Sequence, residues 1–176
     1  NRLYYTGSNE FGQLCADTNG NIVAAPTELA LPNVPVSFQA IRQSSYILNE
    51  DGSVYSCGRN DVGQLGDGTN ADQILADVSL GDNVVRLLGV GPSSDTVFFV
   101  TTEETVWGTG LNDRGQLGVG DTENRNVPTS VAFQSQVLLT EVSASGQHTI
   151  ALGTVTGSLD TLVPSTSPST PVPTTS

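Results

Sequence analysis

The 176-residue sequence contains no lysine and no methionine, and it has a single histidine and two cysteines. Its six basic residues are all arginine, and together with 18 acidic residues they give a net charge of −12. Binding to nucleic acid or to an anionic membrane surface is therefore disfavoured, because both need a basic patch. One histidine and two cysteines cannot build a His-rich or Cys-rich zinc site from this chain alone.

Long apolar runs are also missing, since none approaches the roughly 20 residues needed to span a bilayer. The chain starts at Asn1 without a basic region or a short apolar core, so we expect a processed end or a cut. The acidic residues are scattered along the sequence, and we interpret most of them as a solvated face. No Asn-x-Ser/Thr sequon occurs, so N-glycosylation is not expected.

One phrase occurs three times, with its asparagines 51 and 52 residues apart. Its shared residues are Gly7, Asn9, Gly12, Gln13 and Leu14, then Gly58, Asn60, Gly63, Gln64 and Leu65, then Gly110, Asn112, Gly115, Gln116 and Leu117. Such spacing indicates a repeat architecture. Glycine supplies positive φ, asparagine can tie a turn and leucine would fill the space between repeats, so we assign the phrase a structural role.

Short runs of β-branched and aromatic residues surround each phrase, and Asp51-Gly52 between two runs is a hairpin signal. No window has the 3.6-residue apolar period of a helix. Short strands, regular turns and a period of about 50 predict an all-β fold built from propeller blades.

The phrase Gly-x-Asn-x-x-Gly-Gln-Leu-Gly-x-Gly resembles the signature of the RCC1 repeat family, and residues 146–152 resemble the strand before that signature. The resemblance covers residues 1–163 and implies blades of a seven-bladed propeller. It departs at Cys15, which stands where the other copies have Gly66 and Gly118.

About three repeats cannot close a ring, because propellers typically need at least four blades. Residues 1–7 start at a third strand, and residues 157–163 align with another third strand that leads into Pro164. We therefore expect the C-terminal portion of a propeller. The alternative is an open arc that neighbouring molecules complete through exposed strand edges.

Residues 164–176 are a separate segment with four prolines and eight serines or threonines. Its composition predicts an extended, polyproline II-like tail, either an O-glycosylated stalk or a disordered linker. The segment resembles the Ser/Thr/Pro-rich tails of extracellular wall or surface glycoproteins. The predicted O-glycosylation sites are Ser165, Thr166, Ser167, Ser169, Thr170, Thr174, Thr175 and Ser176, and the predicted hydroxyprolines are Pro168, Pro171 and Pro173.

Cys15 and Cys57 fall in successive repeats, one just after its phrase and one just before, so a disulfide between blades is reasonable. It would stabilise the fold by roughly 4 kcal/mol in the chain-entropy model. The alternative is two unpaired small residues.

Catalytic signals are weak. His148 is a candidate general base, but no nucleophile is tied to it by sequence. We therefore predict no enzyme activity, no metal site and no cofactor.

The composition and the tail favour a structural or adhesive module of an extracellular glycoprotein, such as a fibre or surface-coat subunit. One alternative is a regulatory RCC1-type propeller that exchanges nucleotide on a small GTPase or serves as a protein-binding scaffold. Another is a secreted propeller that inhibits an enzyme. Expected partners are proteins, further copies of the chain and glycans on the tail, without nucleic acid or membrane insertion.

Overall fold

The computed structural model describes residues 1–81, 83–88, 91, 93–131, 133 and 137–155, and in these residues it places twelve β-strands. The strands are β1 (Leu3–Gly7), β2 (Val23–Leu29), β3 (Pro35–Ala40), β4 (Ser44–Asn49), β5 (Val54–Gly58), β6 (Gln73–Asp77), β7 (Val84–Leu88), β8 (Thr96–Thr101), β9 (Val106–Gly110), β10 (Arg125–Ser130), β11 (Val137–Ala144) and β12 (Thr149–Val155). Within these ranges no helix is long and apolar enough to cross a membrane. The predicted strand at 157–163 and the whole segment 164–176, with its predicted sugar and hydroxyproline sites, lie outside the described residues.

The strands pair into four antiparallel sheets in chain order. Strands β3–β6 and β7–β10 form two sheets of four, and they are copies of each other because Ser44 pairs with Gly58 as Thr96 pairs with Gly110. Strands β1 and β2 form a sheet of two that corresponds to the last two strands of a complete sheet. Strands β11 and β12 correspond to the first two. The described residues therefore form two complete blades flanked by two half blades, as the repeats predicted.

Central strands of the complete blades are buried on both faces, which explains the apolar runs 46–48 in β4 and 97–100 in β8. All six residues of β8 are buried, and so are five of the six in β4. The outer strands β6 and β10 are less buried, with no fully buried residue in β6 and one in β10. Tyr46 and Phe99 meet edge to face across the two complete blades, with ring centroids 6.1 Å apart. Burying each such ring contributes roughly 1.5–3 kcal/mol.

A second, smaller apolar cluster lies between the first half blade and the blade β3–β6. Its buried members are Cys15, Leu29, Ile47, Tyr55 and Cys57. Cys15 and Cys57 form a disulfide whose Cα atoms are 5.2 Å apart. The first junction between sheets is thus held by a covalent bond and a small core, whereas the second junction is held by the main core and by hydrogen bonds such as that from Thr109 Oγ1 to the Gly63 carbonyl at 3.0 Å.

Candidate functional site

The three repeated phrases form equivalent loops, here called the signature loops, which are residues 8–22, 59–72 and 111–124. Each connects the third strand of a repeat to the fourth. A complete blade has four antiparallel strands, so the first strand of each repeat runs in the same direction. The signature loops of all repeats therefore lie at the same end of the sheets. We call this end the loop face and the opposite end, with turns 50–53 and 102–105, the turn face.

The signature asparagines anchor these loops from the inside. The Oδ1 of Asn60 accepts a hydrogen bond from the Leu65 N–H at 2.9 Å, and its Nδ2 donates to the carbonyls of Thr69 and Ala71, both at 3.1 Å. Asn112 makes the same bond to the Leu117 N–H at 2.9 Å. One buried amide therefore holds both ends of each loop.

The first repeat follows the same pattern. Asn9, 2% exposed, accepts from the Leu14 N–H at 2.8 Å and donates to the Ala16 carbonyl at 2.8 Å. Leu65 and Leu117 are fully buried as fillers, whereas Leu14 is only half-buried.

The signature glutamines tighten the start of each loop. The Oε1 of Gln13, Gln64 and Gln116 accepts a hydrogen bond from the N–H two residues earlier in the chain, at 2.9 to 3.1 Å. Gln116 also donates to the Gly146 carbonyl of the following half blade at 3.2 Å. The glutamines thus join the loops to the neighbouring sheets.

Two signature glycines are required by close packing. Gly63 has φ +79°, and a Cβ there would lie 2.5 Å from the Cα of Asn126 in the next blade. Gly110 has φ +99°, and a Cβ there would collide with the Asp95 carbonyl. Only glycine can both adopt a positive φ at little cost and fit into the space available at these two positions.

The sequence did not lead us to predict that an Asx residue at the end of the loop accepts a hydrogen bond from the signature asparagine. The backbone N–H of Asn60 donates to Asp72 Oδ1, and that of Asn112 donates to Asn124 Oδ1, both at 2.8 Å. Both acceptors come twelve residues after the signature asparagine. An Asx residue also stands at that distance in the first repeat, as Asn21, so the signal was present in the sequence.

The loop face is negatively charged, and this charge is what a binding partner would meet. The signature loops carry eight acidic residues and two arginines, a net charge of −6, which is half of the chain's −12. The acidic residues are Glu10, Asp17, Asp61, Asp67, Asp72, Asp113, Asp121 and Glu123. All but Asp67 are exposed. Their exposure agrees with the interpretation of most acidic residues as a solvated face, and the fold places eight of them in the three signature loops.

Hydrogen bonds stabilise part of this negative charge. The pKa of Asp121 is lowered, first by the hydrogen bond from the Glu123 N–H and then by Arg125. Such carboxylates stay ionised and keep the loop face acidic at neutral pH.

His148 is exposed in the turn between β11 and β12, and its Nδ1 lies 3.1 Å from the Ser145 hydroxyl. This is a local turn contact, since the Ser145 N–H also donates to the His148 carbonyl. Among the described residues, no group of three or more His, Cys, Asp or Glu residues could hold a metal ion.

Comparison with known proteins gives a family for this architecture. Residues 51–86 and 103–152 match the regulator of chromosome condensation (RCC1) repeat. The X-linked retinitis pigmentosa GTPase regulator of Canis lupus familiaris is 30% identical over 135 residues, which cover 74% of this chain and 13% of that protein. The guanine nucleotide exchange factor SRM1 of Saccharomyces cerevisiae is 42% identical over 71 residues, which cover 38% of this chain and 15% of that protein.

The crystal structure of Prp20p from Saccharomyces cerevisiae, described with its binding properties to Gsp1p and histones, matches with a TM-score of 0.77. The match covers 89% of this chain and 40% of that one at 23% identity, so it supports the fold alone. The chain thus spans less than half the length of each of these proteins. The matches support the RCC1-repeat propeller fold.

Proposed function

Since residues 51–86 and 103–152 match the RCC1 repeat, we propose that this chain is a non-catalytic, protein-binding module that regulates a small GTPase. The observation that carries the proposal is that similar proteins are named a GTPase regulator and a guanine nucleotide exchange factor. These names favour the regulatory alternative over a structural module of an extracellular glycoprotein.

The loop face is the binding surface in this proposal. Its net charge of −6 suits a partner with a basic patch, because complementary charge speeds association and excludes acidic competitors. Its loops are already anchored by buried asparagine and glutamine, so binding costs little ordering entropy. The loop tips would contact the partner and the buried amides would hold them in place.

The test measures binding and nucleotide release with a panel of purified small GTPases loaded with a fluorescent GDP analogue. The test variant is Glu10→Gln with Glu123→Gln, two exposed carboxylates on the loop face. The control is Glu50→Gln with Glu103→Gln, which removes the same charge from the turn face.

Exposed interface charges contribute about 0.2–1 kcal/mol each, so we expect the loop-face variant, which removes two charges, to weaken binding by about two- to thirtyfold. The turn-face variant should bind as the wild type does, and affinity should fall as salt is raised. Equal effects of the two variants would refute the assignment of the loop face.

An extracellular module remains a second candidate because one observation favours it. The Cys15–Cys57 disulfide is of a kind that persists mainly in oxidising compartments. Failure to bind any GTPase in the panel would favour this candidate.

A further inference from the structure

The disulfide takes the place of a non-covalent contact that the neighbouring junction makes. Cys15 corresponds to Gly66 by its position after the repeated phrase, and Cys57 corresponds to Thr109 by its position in the third strand. A Cβ added to Gly66 would lie 3.3 Å from Cγ2 of Thr109. The pair Gly66 and Thr109 therefore fills, between the second and third sheets, the position that the disulfide fills between the first and second.

Cys15 adopts a backbone conformation that suits the glycine it replaces. Its φ is +56°, and the equivalent glycines Gly66 and Gly118 have φ +68° and +69°. A residue with a Cβ is disfavoured in the left-handed region, so something must hold Cys15 there. The bond to Cys57 does so together with the hydrogen bonds of Asn9 to the Leu14 N–H and the Ala16 carbonyl, and its loss removes the one covalent restraint on this conformation.

Few other contacts cross this junction. The buried cluster around the disulfide is small, and the half blade is tied to the next blade by hydrogen bonds such as that from Ser45 Oγ to the Gln13 carbonyl at 2.8 Å. Asn1 adds a bond from its side chain to the Pro35 carbonyl at 3.0 Å on the surface. The bond between the cysteines therefore carries a large share of the attachment.

We propose that the Cys15–Cys57 disulfide is a redox-operated clamp that fixes the half blade β1–β2, with its signature loop, to the blade β3–β6. The proposal goes beyond the proposed function and does not depend on it. In the oxidised state the clamp is closed. In the reduced state Cys15 relaxes and the half blade separates locally while the rest of the fold persists.

A dithiol reductant opens the clamp in two exchange steps. Its thiolate attacks Cys15 Sγ, the bond between the two sulfurs breaks, and the electron pair leaves with Cys57 Sγ, which takes up a proton. The second thiol of the reductant then attacks the mixed disulfide and releases Cys15 as a thiol. The reductant departs as a cyclic disulfide, so two electrons and two protons have been transferred.

Attack at Cys15 follows from access. Cys57 is fully buried, whereas Cys15 is 6% exposed and lines an open groove of about 260 Å³ beside β1. Cys57 is therefore the leaving thiol.

The test compares hydrogen exchange of the full chain with and without dithiothreitol. On reduction we expect amides of Leu3–Gly7 and Val23–Leu29 to exchange at least about tenfold faster, while those of Thr96–Thr101 stay unchanged. The control is the double variant Cys15→Gly with Cys57→Thr, which copies the pair at the next junction. It should fold and should show no response to dithiothreitol.

Cys57→Ala keeps Cys15 in the chain without a partner, so this variant should resemble the reduced wild type under both conditions. Three results would overturn the proposal. The exchange of β1 and β2 could be unaffected by reduction, β8 could lose protection in parallel, or the double variant could respond to the reductant as well.

Discussion

Replacement of Asn60 by alanine tests whether the signature asparagine is a structural anchor. The side chain is fully buried, and its loss removes the acceptor of the buried Leu65 N–H. Thr69 and Ala71 are exposed, so water can replace the donor that their carbonyls lose. One orphaned N–H in a buried site costs about 1–3 kcal/mol, and the small cavity adds to it.

We therefore expect Asn60→Ala to lower the free energy of unfolding by about 2–3 kcal/mol. The control is Thr122→Ala, an exposed position in the third signature loop, which should cost about 0.5 kcal/mol or less. Urea unfolding followed by far-ultraviolet circular dichroism measures both, with an unchanged slope showing that stability alone has changed. Equal losses for the two variants would refute the anchor.

The remaining predictions concern a close approach between blades and a buried hydroxyl within one blade. Gly63→Ala and Gly20→Ala both place a side chain at positive φ, but only Gly63 also faces backbone, that of Asn126. We expect about 1 kcal/mol for Gly20→Ala and at least about twice that for Gly63→Ala in the urea assay, so equal values would contradict the close approach. Tyr46→Phe leaves the Gln64 carbonyl without its buried donor at 2.7 Å, and it should cost about 1–2 kcal/mol. Burial raises the pKa of Tyr46, so its contribution is present below about pH 10 and falls above it as the unfolded phenol ionises. Urea unfolding at pH 8 and pH 10.5 should show a larger alkaline loss for the wild type than for Tyr46→Phe.

Features that recur in every repeat could be predicted from the sequence, whereas contacts between repeats could not. The order of strands, the turns and the placement of Leu65 and Leu117 follow from three in-register phrases, because each phrase reports the same local conformation. Pairings between repeats were harder to foresee. The contact of Arg42 with Asp95 joins turns 53 residues apart and leaves no local pattern.

The candidate site was less predictable than the fold. Glu10, Asp61 and Asp113 each directly follow a signature asparagine and so repeat in register, but the other acidic residues of the loops do not share one position. The Asx acceptors Asp72 and Asn124 had a signal, but it lay outside the repeated phrase. Comparison of the three loops over their whole length would have found it.

The buried amide of each signature loop separates the residues that set its shape from the residues that set its chemistry. The buried Asn60 holds both ends of its loop, whereas positions such as Thr122 in the third loop are exposed to solvent. Tip residues can therefore be exchanged between the loops, or randomised in a library, without rebuilding the sheets. Such an arrangement lets one scaffold acquire new recognition specificities by small sequence changes, and it makes this chain a starting point for engineered binding proteins.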